Sequence, residues 1–252
     1  MLKKILAFFL LTPMFFVCSN DTSNVFDLPI SLGNRCQTAL RLTVNNVRNE
    51  AYPFDWIISP FESIIKFLDL RGEGFLNPDY LIVNYNSNPE KCIVGIYDVF
   101  YGITFVHDFD YYPKGHEFPA IHFSQTQVTN FNEIKSKFER RIERFFKICE
   151  SDKRILFVRV GLNREESIVL VDTFRKNFPK LDFMILAVGD SDSHKTPWNV
   201  DRVFNFYIDQ TDYNRGDSEA WKNILNFFVF RDFLPEKNQS TDEYWDLFPQ
   251  II

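Results

Sequence analysis

The sequence predicts an α/β fold: a three-layer sandwich in which a largely parallel sheet in the C-terminal half has helices on both faces. Between residues 154 and 230, apolar strand-like runs alternate with amphipathic helical patterns, and such alternation is typical of parallel sheets covered on both sides. The 252 residues include 29 phenylalanines and are 45% hydrophobic, enough for one sizeable core. We expect a single α/β domain over residues 25–252.

The first elements are predicted from local signals near residue 30. The apolar run 28–32 indicates a short strand that ends at Gly33. Asn34 has a side chain suited to cap a helix, and apolar residues at helical spacing follow it. We therefore expect a helix that Asn34 caps and that carries Cys36 in its first turn. A second helix should open at Pro60, because proline fits the first turn of a helix.

The remaining elements follow from periodicity, chain breakers and β-branched or aromatic runs. We expect strands at 92–97, 103–107, 154–160, 181–188 and 203–208, and helices at 130–149, 164–177 and 218–230. The tail 234–252 is polar and aromatic and is expected to pack loosely over the surface.

The N-terminus reads as a targeting segment. Lys3 and Lys4 precede an apolar stretch over residues 5–17, which is short for a bilayer-spanning helix. We expect a signal peptide over 1–19, cut after Ser19, and an exported protein with no membrane contact beyond this segment. An uncleaved anchor and a lipidated Cys18 remain alternatives.

Export changes how the cysteines are interpreted, because oxidising compartments favour disulfides. Removal of the signal leaves Cys36, Cys92 and Cys149, so at least one thiol stays free or pairs with another chain. A disulfide between Cys92 and Cys149 is left open. No cysteine or histidine spacing of a zinc site is present in the sequence, and we expect no metal.

The charge pattern argues against a nucleic-acid partner. The formal net charge is −6, so the chain lacks the basic field that phosphate neutralisation requires. The basic run 135–147 is interleaved with glutamates at helical spacing and is interpreted as a solvated helix face with intrahelical pairs, rather than an anion site. No glycine-rich phosphate loop or dinucleotide fingerprint occurs, and we expect no cofactor.

Three motifs carry a resemblance to a known family: Ser31-Leu-Gly-Asn-Arg-Cys36-Gln-Thr-Ala, Tyr52-Pro-Phe-Asp-Trp56 and Phe105-Val-His-Asp108. They resemble the papain-like cysteine peptidase family long filed as a domain of unknown function, and the similarity extends more weakly to Trp221. The resemblance implies a Cys-His enzyme that acts on a peptide or other acyl substrate. Cys36 would be its nucleophile and His107 its base.

The residues around Cys36 suit this chemistry. A helix start and the neighbouring Arg35 would stabilise a thiolate and lower the pKa of Cys36. Backbone N–H groups of the first turn, or the side chains of Asn34 or Gln37, could hold a developing oxyanion. The alternative is that Cys36 packs as a small buried hydrophobe.

A base and an orienting group are expected from the other two motifs. His107 ends a predicted strand, a usual position for functional residues in α/β sheets, although it could equally bond a backbone carbonyl. Asp55 is the first choice to orient its imidazole, with Asp108 and Asp110 behind it; Asp55 could instead stabilise its own turn. Trp56 either walls a pocket or belongs to the core.

A second reading of function is a non-peptidase α/β domain that binds or modifies glycans. Papain-like folds pair a helical lobe with an antiparallel barrel, whereas the C-terminal half predicts a parallel sheet. The loop 189–197 carries acidic groups that could bind a metal or a sugar, and a plain solvated loop is the favoured alternative.

Overall fold

The computed structural model describes residues 24–85, 93–109, 128–209 and 216–232. The predicted signal peptide, Cys18, Cys92, Asp110 and the tail 234–252 lie outside the described residues. Within them no helix is long and apolar enough to cross a membrane.

The described elements follow the predicted order closely. The strands are β1 Val25–Phe26, β2 Leu28–Ser31, β3 Ile57–Ile58, β4 Leu81–Tyr85, β5 Ile93–Asp98, β6 Ile103–Phe105, β7 Arg154–Val160, β8 Asp182–Gly189, β9 Val203–Tyr207 and β10 Val229–Phe230. The helices are α1 Cys36–Val44, α2 Phe61–Asp69, α3 Phe131–Cys149, α4 Arg164–Asn177 and α5 Ser218–Leu225.

The predicted parallel sheet is confirmed. Its strand order is β2-β7-β8-β9, and every neighbouring pair is parallel. Alternate residues of β7 enter two different cores: Phe157 packs with α4 on one face, and Leu156 packs with α1 and α5 on the other. Because β-strand side chains alternate between faces, both faces need helices, as the sequence predicted.

A second, antiparallel sheet lies between α1 and α3 in the sequence. Its strand order is β3-β6-β5-β4. Phe105 of β6, Phe67 of α2, Phe145 of α3 and Phe157 of β7 belong to one buried cluster. The two sheets therefore share a core, and the turn after β2 lies close to where they meet.

The C-terminal helix and the basic run were predicted incorrectly in two respects. The helix at 218–230 ends at Leu225, because Val229–Phe230 pairs in parallel with β1 instead. In α3, Lys137 pairs with Asp108 and Arg144 with Glu50, and among the described residues no ion pair joins two side chains of this helix. These two basic residues of α3 therefore pair with acidic side chains of other segments.

Candidate functional site

Cys36 is the first residue of α1, as predicted, but Asn34 is not the cap. The N-cap residue is Arg35, and no side chain caps this helix. Asn34 has a φ of 26° and follows Gly33, whose φ is 75°. This left-handed turn moves the start of the helix one residue beyond the predicted cap and leaves the N–H groups of its first turn without a capping side chain.

The turn is fixed by contacts from both sheets. A Cβ at Gly33 would overlap Ser59 Oγ and lie 3.2 Å from the carbonyl oxygen of Phe54. Arg159, which is 3% exposed, donates from Nη1 to the Leu32 carbonyl at 2.6 Å and from Nη2 to the Ser59 carbonyl at 2.8 Å. One buried guanidinium therefore joins the end of β2 to the segment that follows β3.

Pairing of β3 with β6 brings two of the predicted motifs together. Ile57 is aligned with Phe105 in an antiparallel register, so the segment with Asp55 runs alongside the segment with His107. The strand ends at Phe105, two residues earlier than predicted. His107 consequently lies in a bend just beyond the strand and is half-buried.

Asp108 is bound to helix α3 by its side chain and by its backbone. Its Oδ1 is 2.6 Å from Lys137 Nζ, and its carbonyl accepts a hydrogen bond from Asn130 Nδ2 at 3.0 Å. Burial lowers the pKa of His107 and raises that of Cys36; the negative charge of Asp108 opposes the first shift and adds to the second. The candidate nucleophile, the candidate base and Asp108 thus share one electrostatic neighbourhood.

The ionisation of Cys36 differs from the sequence-based expectation. Burial raises the pKa of Cys36 to about 11. The charge of Asp108 adds to this rise, whereas the backbone N–H of Cys36 and the charge of Arg35 oppose it. Burial also lowers the pKa of His107, against the pull of Asp108. Desolvation outweighs the cation and the helix start, because both groups lose water in forming the site. At neutral pH Cys36 is therefore a thiol and His107 a neutral imidazole.

Asp55 has a structural task in the described residues. It is fully buried, and its Oδ2 accepts hydrogen bonds from Arg48 Nη2 and from the backbone N–H of Tyr52, each at 2.6 Å. Trp56 is half-buried with a φ of 69°, and the Arg48 guanidinium lies 6.0 Å from its ring. Asp55 therefore stabilises its own turn, which was the alternative role expected from the sequence. That Asp55 orients the His107 imidazole stays a prediction.

Gln37 lies against the start of α5. It is 2% exposed, and among the described residues its Nε2 has no hydrogen-bond partner. Trp221 Nε1 is likewise buried and has no partner within the described part of the chain, and a Cβ at Gly216 would crowd both nitrogens. Gln37 therefore packs on a glycine, and its predicted part in an oxyanion hole stays a prediction.

Sequence reasoning missed Arg159, Ser59 and Lys137. Arg159 gave a usable signal, because it is a single charge inside an apolar strand, and such a charge needs buried partners. Lys137 gave none, since its partner lies on another element. Among the described residues, no group of three histidine, cysteine or acidic side chains could hold a metal ion.

Residues 27–192 match the model of a family described as "Putative papain-like cysteine peptidase". The chain belongs to this family. The matched region contains Cys36, Asp55, His107 and Asp108, and also Lys137, so the candidate site of this family member lies inside it.

The chain is also similar to a viral protein, the uncharacterized protein R408 of Acanthamoeba polyphaga mimivirus. The two are 28% identical over 236 residues, which span 82% of this chain and 98% of the viral protein. No solved structure is significantly similar to this papain-like family member.

Proposed function

We propose that this protein is a cysteine-peptidase-type thiol hydrolase in which Cys36 is the nucleophile and His107 the base. The observation that carries the proposal is that Cys36 opens α1 while Asp108, the neighbour of His107, acts electrostatically on both residues. The family membership of the chain supports the same assignment. Its substrate is a peptide or another acyl compound.

The protonation states imply general-base catalysis rather than a preformed thiolate. His107 would take the proton of the Cys36 thiol as sulfur attacks the substrate carbonyl. The uncapped N–H groups at the start of α1 would bind the oxyanion. Collapse of the intermediate breaks the bond to the leaving group, which receives the proton from His107, and water then hydrolyses the Cys36 thioester.

A model ester tests the proposal. With p-nitrophenyl acetate, wild-type protein should release p-nitrophenol and carry the acetyl group on Cys36, as peptide mass spectrometry would show. Cys36→Ala should abolish this release, and His107→Gln should slow it by about 100-fold. Cys149→Ala is the control, because Cys149 is the other free thiol among the described residues, and it should leave the rate unchanged.

The pH dependence of the same reaction gives an independent check. A base acts in its neutral form, so the rate should rise with pH and reach half of its plateau below 6.5, the ordinary pKa of histidine, because burial lowers the pKa of His107. A rate in Cys36→Ala equal to that of the wild type, or a half-maximum clearly above 6.5, would contradict the assignment.

The glycan reading has one supporting feature. Asp190, Ser191, Asp192 and Ser193 are exposed directly after β8, at the carboxyl end of the parallel sheet, where α/β proteins commonly bind ligands. Retention of the wild-type protein on immobilised oligosaccharides, lost in Asp192→Asn and kept in Cys36→Ala, would favour this function.

Export through the segment 1–19 is likewise proposed, and the N-terminal sequence of the mature protein would test it.

A further inference from the structure

Residues of helix α3 bind both the side chain and the backbone carbonyl of Asp108. Lys137 pairs with the Asp108 carboxylate, and the two side chains are 31% and 7% exposed. Asn130, the N-cap residue of the same helix, binds the Asp108 carbonyl. Such a shielded ion pair is stronger than one at the surface, because less water screens it.

The other oxygen of this carboxylate has no hydrogen-bond partner. Asp108 Oδ2 is buried and unpaired in the described structure, so the carboxylate keeps a charge that only Lys137 neutralises by direct contact. Two further cations contribute: Arg35 precedes Cys36 in the sequence and interacts electrostatically with it, and Arg141 of α3 interacts electrostatically with Asp108. The net charge of the Lys137–Asp108 pair therefore affects the ionisation of Cys36 and of His107.

We propose that Lys137 is a positioning residue for the Cys36–His107 site: it orients the Asp108 carboxylate and offsets its charge, and so controls how readily the Cys36 thiol ionises. This inference rests on the proposed function for its importance, because it concerns the same cysteine. It assigns to α3, which carries none of the three main motifs, a part in the reactivity of that site.

The sign of the effect follows from the charges. The Asp108 carboxylate disfavours the Cys36 thiolate, and the Lys137 cation weakens that effect. Lys137→Met should therefore reduce the thiolate fraction, whereas Asp108→Asn should increase it. Arg141, which also interacts electrostatically with Asp108, is unchanged in both variants.

Alkylation of full-length protein by iodoacetamide measures this fraction. At about pH 8, well below the pKa of Cys36, the rate at Cys36 is proportional to the thiolate present. Followed on the Cys36 peptide by mass spectrometry, the rate should fall about threefold to tenfold in Lys137→Met and rise by a similar factor in Asp108→Asn. In the Asp108→Asn background, Lys137→Met should have no further effect.

Two controls separate this role from a structural one. Lys147 is an exposed cation on the same helix, and Lys147→Met should leave the rate unchanged. Lys137→Arg keeps the charge and should react within about twofold of the wild type, which preserves the test if Lys137→Met does not fold. Equal Cys36 rates in wild type and Lys137→Met, or an equal fall in the Asp108→Asn background, would overturn the proposal.

The alkylation result is also separable from the proposed hydrolase activity. If Cys36 is not acetylated by the model ester but the alkylation rates still differ as expected, the hydrolase assignment fails and the coupling to Lys137 stands. If ester hydrolysis depends on Cys36 and His107 while the alkylation rates are equal, the coupling fails alone.

Discussion

Residues of the β2–α1 turn suit its backbone conformation as well as the proposed chemistry. Gly33 combines a left-handed φ with close contacts to Ser59 and Phe54, so that both strain and crowding exclude a side chain there. Asn34 tolerates the left-handed region better than most residues. The sequence motif around Cys36 thus encodes the shape of the turn that presents the thiol.

Gly33→Ala should destabilise the protein by about 2–3 kcal/mol, because the left-handed φ and the overlap with Ser59 both add to the cost. Gly74→Ala is a matched control: Gly74 has a φ of 77°, but its nearest neighbour to an added Cβ is 3.7 Å away. That variant should lose only about 1 kcal/mol. Urea unfolding measures both, and equal losses would show that crowding at Gly33 is unimportant.

At the scale of elements, the sequence predicted what local signals determine. The boundaries of β7 and α4 were predicted to the residue, since strand periodicity and the Asn163 capping box are local features. The end of α5 was not, because β10 forms only with β1, more than 200 positions away in the sequence. For the candidate site, Cys36 at a helix start was predictable, whereas its raised pKa depends on burial that only the assembled elements create.

The junction between the two sheets depends on the Arg159 side chain. Burial lowers the pKa of Arg159 to about 10, so it remains charged at neutral pH while holding the Leu32 and Ser59 carbonyls. Arg159→Met should cost about 3 kcal/mol of stability, because two buried carbonyl groups lose a charged donor. It should also change the alkylation rate of Cys36, since Leu32 precedes the turn.

The control for this prediction is Arg202→Met. Arg202 also donates to a strand carbonyl, that of Phe183 at 2.9 Å, but it lies at the other end of the sheet and is partly exposed. Its loss should cost no more than about 1 kcal/mol and leave Cys36 alkylation unchanged. Chemical unfolding and peptide mapping check both variants, and a similar effect of the two substitutions on Cys36 would show that Arg159 has no special tie to the turn.

At the scale of the whole molecule, aromatic rings link the parallel sheet to the antiparallel one. Phe67 and Phe145 have ring centroids 5.8 Å apart, Phe145 and Phe157 are 6.1 Å apart, and Phe157 stacks on Phe174 at 4.2 Å. The path runs from α2 through α3 to β7 and α4, and Phe75 connects Phe67 to Phe105 of β6 in the antiparallel sheet. Both sheets bury side chains in this one cluster, so neither sheet should unfold alone.

The described sheets should therefore unfold in one cooperative transition. In hydrogen exchange at increasing urea, amides of β6 and β7 should lose protection at the same denaturant concentration, because the shared cluster opens as a unit. Mass spectrometry of the corresponding peptides measures this. Loss of protection in β6 at clearly lower urea than in β7 would show two independent units.

The pairing of β1 with β10 has a consequence for synthesis of the chain. Val25 and Phe26 align with Val229 and Phe230, and Asn24 donates to the Phe227 carbonyl across 203 positions of sequence. Among the described strands, the first to be synthesised therefore pairs with the last. Contacts of such long range slow folding and leave an edge unpaired meanwhile. This chain should be most vulnerable to proteases and to misassembly before residue 230 has emerged.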